Sequence, residues 1–417
     1  MTLIRQSSEG LVSRTRPVAD APDLLAALGA EGFVWLHDGG GLATSGVAAR
    51  VPVRRGADRF RAAADDVAEL LGMVEVEDPL RLPGTGPLAV GALPFHAGVD
   101  GELVVPAVVV GCTPQGRAWV TETAPVEHLD HPVGTGSTWS TEPGPVPTAI
   151  DEVAGREAWT AAVRGALQRI ASGPLAKVVL AREVVVEADT PFDRRRVLDH
   201  LRTTHPSSFT YAAGGFVGAS PELLVRRRGG RVTSRPMAGT TPRGRNRADD
   251  ERLAAALAAS AKEAEEHALV VEAVRAALEP VCREVMAGAE PELVRLSTLT
   301  HLATTVAGHL ADPAPSALAL AGLLHPTPAV GGIPRADALA AIAELEGFDR
   351  GLYAGPVGWV DSRGDGDWAV ALRCADLAGS RARLVAGAGI LADSDPDAEW
   401  AETEAKLGPM LGALAVA

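Results

Sequence analysis

Of the 39 Lys+Arg residues in the chain only three are lysines, Lys177, Lys262 and Lys406; the other 36 are arginine. Where a plain positive charge suffices, this sequence uses guanidinium. Lysine differs in that its amine can lose its proton when desolvated, which guanidinium cannot. Lys177 stands in "LAKVVLAREV", residues 175–184, where alternation puts Leu175, Lys177, Val179 and Ala181 on one face of a buried strand. A lone lysine left over from a compositional bias needs no chemistry. The remaining charged motifs give it a context.

Two of those motifs are acidic pairs. "KEAEEHALV" sets Glu263 and Glu266 one helical turn apart, with Glu266 on the side of Val270 and Val274. "AEWAETEAKL" repeats the spacing in Glu399 and Glu402, with Lys406 four residues beyond. Such pairs are common on solvated helix faces, and Glu402–Lys406 reads as an ordinary i,i+4 ion pair. Two pairs meeting across a cleft would instead form an all-oxygen site suited to Mg²⁺. Spacing alone does not bring them together. "AGTTPRG" and "GAGI" read as glycine turns after strands, whose free amides suit a carboxylate. No GxxxxGK[ST] or GxGxxG follows a strand, so a phosphate loop is excluded.

The elements that must hold these residues follow from the pattern. Residues 1–125 mix short strand-like runs with one helix near 58–72 and carry no chemical motif. Residues 126–149 are rich in Pro, Gly, Ser and Thr and read as a linker. From 150 to 417 the texture tightens: a helix over 150–172, the Lys177 strand, a helix near 191–204, and a hairpin turned on Gly229-Gly230. One long helix over 247–279 follows, then two strands in 292–308, helices near 315–324 and 335–345, a strand meander and a last helix from about 396. Strands and helices alternate without a βαβ period, which predicts an α+β layered fold of mostly antiparallel sheet.

Bulk composition narrows the class. A net charge of −14 argues against nucleic acid or an anionic membrane as partner. No apolar run reaches the ~18–20 residues that span a bilayer, and the N-terminus lacks a signal-peptide core. Three scattered cysteines without a CxxC pair fit a reducing cytoplasm.

In order, "KVVLAR", "GASPELLV", "RPMAGTTPRG", "HLATTVAG", "LLHPTPAVGGIPR", "ELEGFDRGLYAGPVGW", "ALRCA", "LVAGAGI" and "AEWAETEAKL" resemble the chorismate-utilising family, and within it most closely the isochorismate synthases. The resemblance runs from about 150 to 415 and is weak before 125. It implies one large domain: two stacked antiparallel sheets, helices outside, the active site between them. It also implies Mg²⁺ held by Glu263, Glu266, Glu399 and Glu402, with Glu266 and Glu402 as direct ligands. Arg373 and Lys406 fall on positions that hold substrate carboxylates. Gly239-Thr240 and Gly387–Gly389 fall on amide-donating turns, and His301 on a pocket histidine.

The resemblance makes Lys177 the water-activating base and Glu222 of "SPE" the general acid. Leu175 and Val179 are expected to desolvate the amine and favour its neutral form, whereas Glu222 must stay protonated, a pair of opposite demands in one pocket. Ala329 stands where salicylate- and anthranilate-forming relatives carry threonine, which favours a synthase that stops at isochorismate. Tyr353 is shared by synthases and lyases. Glu265 and Ala261 depart from the His and Glu of siderophore-type synthases, which leaves the pathway open. The alternatives are a salicylate synthase, an aminating enzyme, against which Lys177 speaks, and a non-catalytic metal-binding relative. The expected enzyme is a monomer acting on chorismate without a glutaminase subunit.

Overall fold

Strand alternation organises the middle of the molecule. In Phe33–His37, Phe33 and Trp35 enter one core while Val34 enters another, and in Phe209–Ala213 the residues Tyr211 and Ala212 divide the same way. The computed structural model describes residues 10–128 and 144–415. Among these, a thirteen-stranded sheet and a nine-stranded sheet share one hydrophobic core, to which the first contributes Trp35, Phe209 and Tyr211 and the second Leu88, Trp359 and Trp368. The outer face of the larger sheet is covered by the helices Arg194–Thr204 and Pro396–Leu414, through Val197, Leu198, Leu201, Leu407 and Met410.

The N-terminal strands complete both sheets. Phe33–His37 pairs with Phe209–Ala213, and Leu88–Ala92 pairs with Pro356–Asp361. Nearly all pairing is antiparallel; the exception is Leu11–Val18 beside Glu75–Glu77. A third sheet of three strands, Met237–Pro242, Leu299–Ala303 and Glu292–Arg295, was not part of the two-sheet expectation. It arises where Pro236, which has no N–H to give a ladder, follows the strand Arg231–Arg235 and lets the chain bend out of the nine-stranded sheet.

Several expected boundaries move. The first part of the presumed linker ends in a short turn of helix at Val126–His128, residues 129–143 lie outside the described residues, and Pro147–Glu152 is an edge strand on Lys177–Ala188. The helix expected from 150 therefore starts at Gly155. The long helix over 247–279 is two helices, Arg247–Ala259 and Ala261–Leu278, broken at Ser260. Ser260 ends the first and caps the second, its hydroxyl accepting the Glu263 N–H at 3.3 Å. Strands are more numerous than expected: Glu292–Arg295, Leu299–Ala303 and Val306–Leu310 occupy the stretch read as two, Cys282–Ala287 precedes them, and the meander has four members.

Candidate active site

The chain passes between the two large sheets at Ser220-Pro221-Glu222 and again at Leu372-Arg373, and both crossings open on one cavity. Lys177 reaches it from its strand, with Val179 on the same face as the alternation requires. Glu222, Gly239, Thr240, Glu266, His301, Ala329, Tyr353, Arg373, Gly387, Gly389, Glu402 and Lys406 all line it. Of the predicted site residues only Glu263 and Glu399 fall outside the lining. Pro221, Met237, Ala238, Val330 and Leu372 complete it, each within one of the motifs quoted above.

Glu222 is 3% exposed, and one of its carboxyl oxygens has no hydrogen-bond partner among the described residues. Burial pushes its pKa up to about 8, against the opposing pull of Lys177, the Met237 amide, Arg373 and Lys406. A carboxylic acid in this state keeps its proton at neutral pH, as the acid role demands. Lys177 is 2% exposed, as expected, but it is not alone: its Nζ donates to Glu266 Oε1 at 2.5 Å. The expectation counted the apolar neighbours Leu175 and Val179 only and did not include this carboxylate partner.

His301 is neutral, its pKa held well below the usual imidazole range by burial and by Arg373 and Lys406. Its Nε2 faces Arg373 Nη2 at 3.4 Å and its Nδ1 lies 3.0 Å from Thr240 Oγ1. Arginine only donates, so Nε2 accepts and Nδ1 carries the hydrogen toward Thr240. Arg373 itself sits at φ +51°, in the left-handed region that non-glycine residues rarely occupy. That backbone conformation occurs at the crossing where its side chain turns toward the cavity. Tyr353 stays a phenol, burial raising its pKa to about 12.

The glycines are not in turns. Gly387 and Gly389 lie within the strand Arg381–Ile390, opposite Ala181 and Val179. The neighbouring strand Cys374–Ala378 pairs only as far as Leu384, which leaves the following stretch open toward the cavity. The Gly387 carbonyl accepts from Lys406 Nζ at 2.9 Å. Gly239 occupies a bulge at φ +79° within Met237–Pro242, and the Thr240 amide expected to hold substrate donates instead to Glu263 Oε2 at 3.2 Å.

A family model described as chorismate binding enzyme matches residues 4–415. The chain belongs to the chorismate-binding enzymes. This chorismate-binding enzyme is 38% identical over 386 residues to isochorismate synthase DhbC of Bacillus subtilis, covering 90% of this chain and 91% of that one. It is 34% identical over 382 residues to isochorismate synthase MenF of the same organism, covering 86% and 79%. The solved structure of MenF, the menaquinone-specific isochorismate synthase of Escherichia coli, superposes with a TM-score of 0.81 at 26% identity, covering 99% of this chain and 98% of that one.

In this family member the carboxylates of the two acidic helices influence one another electrostatically. Burial, then Glu266, raises the pKa of Glu263, and Glu402 adds to the effect from the other helix. Burial, with Glu402 adding to it, lifts Glu399 to about 7. Carboxylates that raise one another in this way have excess negative charge, which a cation relieves. All three lysines answer it: Lys177 pairs with Glu266, Lys406 with Glu402 at 2.5 Å, and Lys262 with Asp393 at 2.9 Å. Burial works against the Lys262 ammonium, yet Asp393, Glu263 and Glu399 raise its pKa on balance. Lys262 was overlooked in the sequence, although the scarcity of lysine was its signal. With Glu266 and Glu402 turned onto amines, no three acids stand gathered as metal ligands among the described residues. The donors suit Mg²⁺ in kind, all being hard carboxylate oxygens.

No helix among the described residues is long and apolar enough to cross a membrane.

Proposed function

We propose that this chain is an isochorismate synthase, interconverting chorismate and isochorismate by attack of water at C2 with departure of the C4 hydroxyl. The observation that carries the reading is Glu222: a buried acid with a pKa of about 8 and an unpartnered oxygen, across one cavity from the only buried lysine. Glu222 delivers its proton to the leaving hydroxyl, which departs as water. Lys177, as the free amine, orients the attacking water and takes its proton. The charge on Arg373 and Lys406 suits the substrate's carboxylates, and neutral His301, hydrogen-bonded to Thr240, steadies Arg373.

Glu266 and Glu402 are the residues to hold Mg²⁺, with Glu263 and Glu399 behind them. When bound, the ion supplies positive charge against the ring carboxylate. Water is the nucleophile, so no glutaminase subunit is needed. Ala329 leaves the ring wall without a hydroxyl, which favours release of isochorismate over onward elimination of pyruvate. Incubation with chorismate and Mg²⁺, with products resolved by chromatography, tests the proposal. Isochorismate beside residual chorismate is expected; salicylate with stoichiometric pyruvate would overturn it.

A further inference from the structure

Behind the cavity wall lies an ion pair that the mechanism does not use. The Arg350 side chain is 0% exposed and that of Glu346 1%. Arg350 Nε donates to Glu346 Oε2 at 2.9 Å and Nη2 to Oε1 at 2.5 Å. The same fork reaches two backbone carbonyls, Val330 through Nη1 at 2.8 Å and Val179 through Nη2 at 2.7 Å. Glu346 Oε1 in turn accepts the Ala181 N–H at 2.8 Å. The guanidinium lies 4.4 Å from the Phe95 ring centre and 5.8 Å from that of Tyr353.

Val179, Val330 and Tyr353 belong to three separate segments, and all three line the catalytic cavity. Val179 is two residues from Lys177, and Val330 adjoins Ala329. One buried guanidinium therefore fastens the wall carrying Ala329 to the strand carrying Lys177. Burial works against its charge, but the Glu346 carboxylate more than offsets this, so the fork stays ionised. An ammonium offers the same charge without the planar fork that spans both carbonyls and a carboxylate together.

We propose that Arg350, held by Glu346, is a positioning residue that sets the Ala329–Val330 wall in register with Lys177 and so governs product partition as well as turnover. The proposal rests on the isochorismate synthase reading. The residues suited to substrate carboxylates, Arg373 and Lys406, make no direct bond to Arg350 or Glu346, so loosening of the junction leaves binding largely intact. What shifts is the ring wall relative to the base, and misplacement on the order of 1 Å costs about a hundredfold in favourable cases.

The test compares Arg350→Lys and the isosteric Glu346→Gln with a matched control, Arg226→Lys. Arg226 also makes a bidentate bond to a buried carboxylate, Asp367, at 2.9 Å for both contacts, but lines no part of the catalytic cavity. Each variant is assayed with chorismate and Mg²⁺ well below its melting temperature, scoring kcat, KM and pyruvate released per isochorismate formed. That ratio does not depend on the fraction of folded enzyme. For Arg350→Lys, kcat should fall by about tenfold or more, KM should change little, and the pyruvate ratio should rise by about threefold. Glu346→Gln should move both in the same direction, and Arg226→Lys should leave the ratio at the wild-type value. An unchanged ratio in a folded Arg350 or Glu346 variant overturns the proposal, as does an equal change in the control. Failure of both junction variants to fold would make the pair a folding element and reject the positioning role. A wild-type chain that makes no isochorismate would overturn the underlying reading of the site, and the proposal with it.

Discussion

Lys177 and Glu266 meet at 2.5 Å, an amine from a strand of the larger sheet against a carboxylate from a helix 89 residues away in sequence. The pair joins the proposed base to the proposed metal site. A cation held by Glu266 would compete with the Lys177 amine for the same carboxylate oxygen.

Glu266→Gln should therefore show two effects together. Removing one partner of a largely buried pair costs on the order of 3 kcal/mol, so the melting temperature should fall. A Mg²⁺ titration of activity should also shift to higher concentration, as one anionic ligand is lost. Thermal melts and Mg²⁺ titrations of the same preparation check both, and a wild-type titration curve would remove Glu266 from the metal site.

For Glu222→Gln, chorismate should still bind while kcat drops by ~10²–10⁴, the usual contribution of a general acid. Activity of the unmodified enzyme should fall as pH rises through about 8, where the acid loses its proton. Stability carries the same signature. The folded-state pKa is raised above the ordinary 4.5, so the contribution of Glu222 is complete below 4.5 and lost as pH rises through about 8. Melting temperatures of wild type and variant measured from pH 5 to 9 should converge toward the alkaline end, and parallel curves would contradict the assignment.

Lys177→Arg should be nearly as damaging as Lys177→Ala. Arginine keeps the charge but supplies essentially no free base near neutrality. Kinetics on variants shown by melting to be folded decide it: activity within about tenfold of wild type would make Lys177 a binding charge and not a base.

Two glycines of one strand should fail in different ways. A Cβ on Gly387 would stand 2.7 Å from the Leu180 carbonyl, a backbone atom that cannot easily yield, so Gly387→Ala should melt lower. A Cβ on Gly389 would meet Lys177 Cε at 3.1 Å and lie 3.5 Å from Glu266 Oε1. Those are ends of movable side chains, so Gly389→Ala should keep most of its stability and lose activity. Paired melts and initial rates separate the two outcomes.

These glycines also mark what the sequence conveyed and what it hid. Glycine-rich runs read as turns because glycine tolerates positive φ, yet Gly387 and Gly389 are ordinary strand residues, small because Leu180 and Lys177 come close. That proximity is tertiary and leaves no local trace. The break at Ser260 did leave one: Ser260-x-x-Glu263 is a capping-box spacing, masked by unbroken helix-forming residues on both sides. Lys177 and the acidic helices were legible from period and residue type, whereas Glu222 was reached only through the family resemblance. Glu346 and Arg350, four apart near a helix end, look in sequence like any surface pair; only the packing of Val179, Val330 and Phe95 around them makes them a buried junction.

Oxygen exchange with solvent tests the central claim most directly. Chorismate incubated with the enzyme and Mg²⁺ in ¹⁸O-enriched water, followed by mass spectrometry of the separated product, should give isochorismate carrying one solvent oxygen in its ring hydroxyl, and Glu222→Gln should suppress that product. Isochorismate formed without solvent oxygen, or undiminished label in the Glu222 variant, would contradict water attack assisted by this acid.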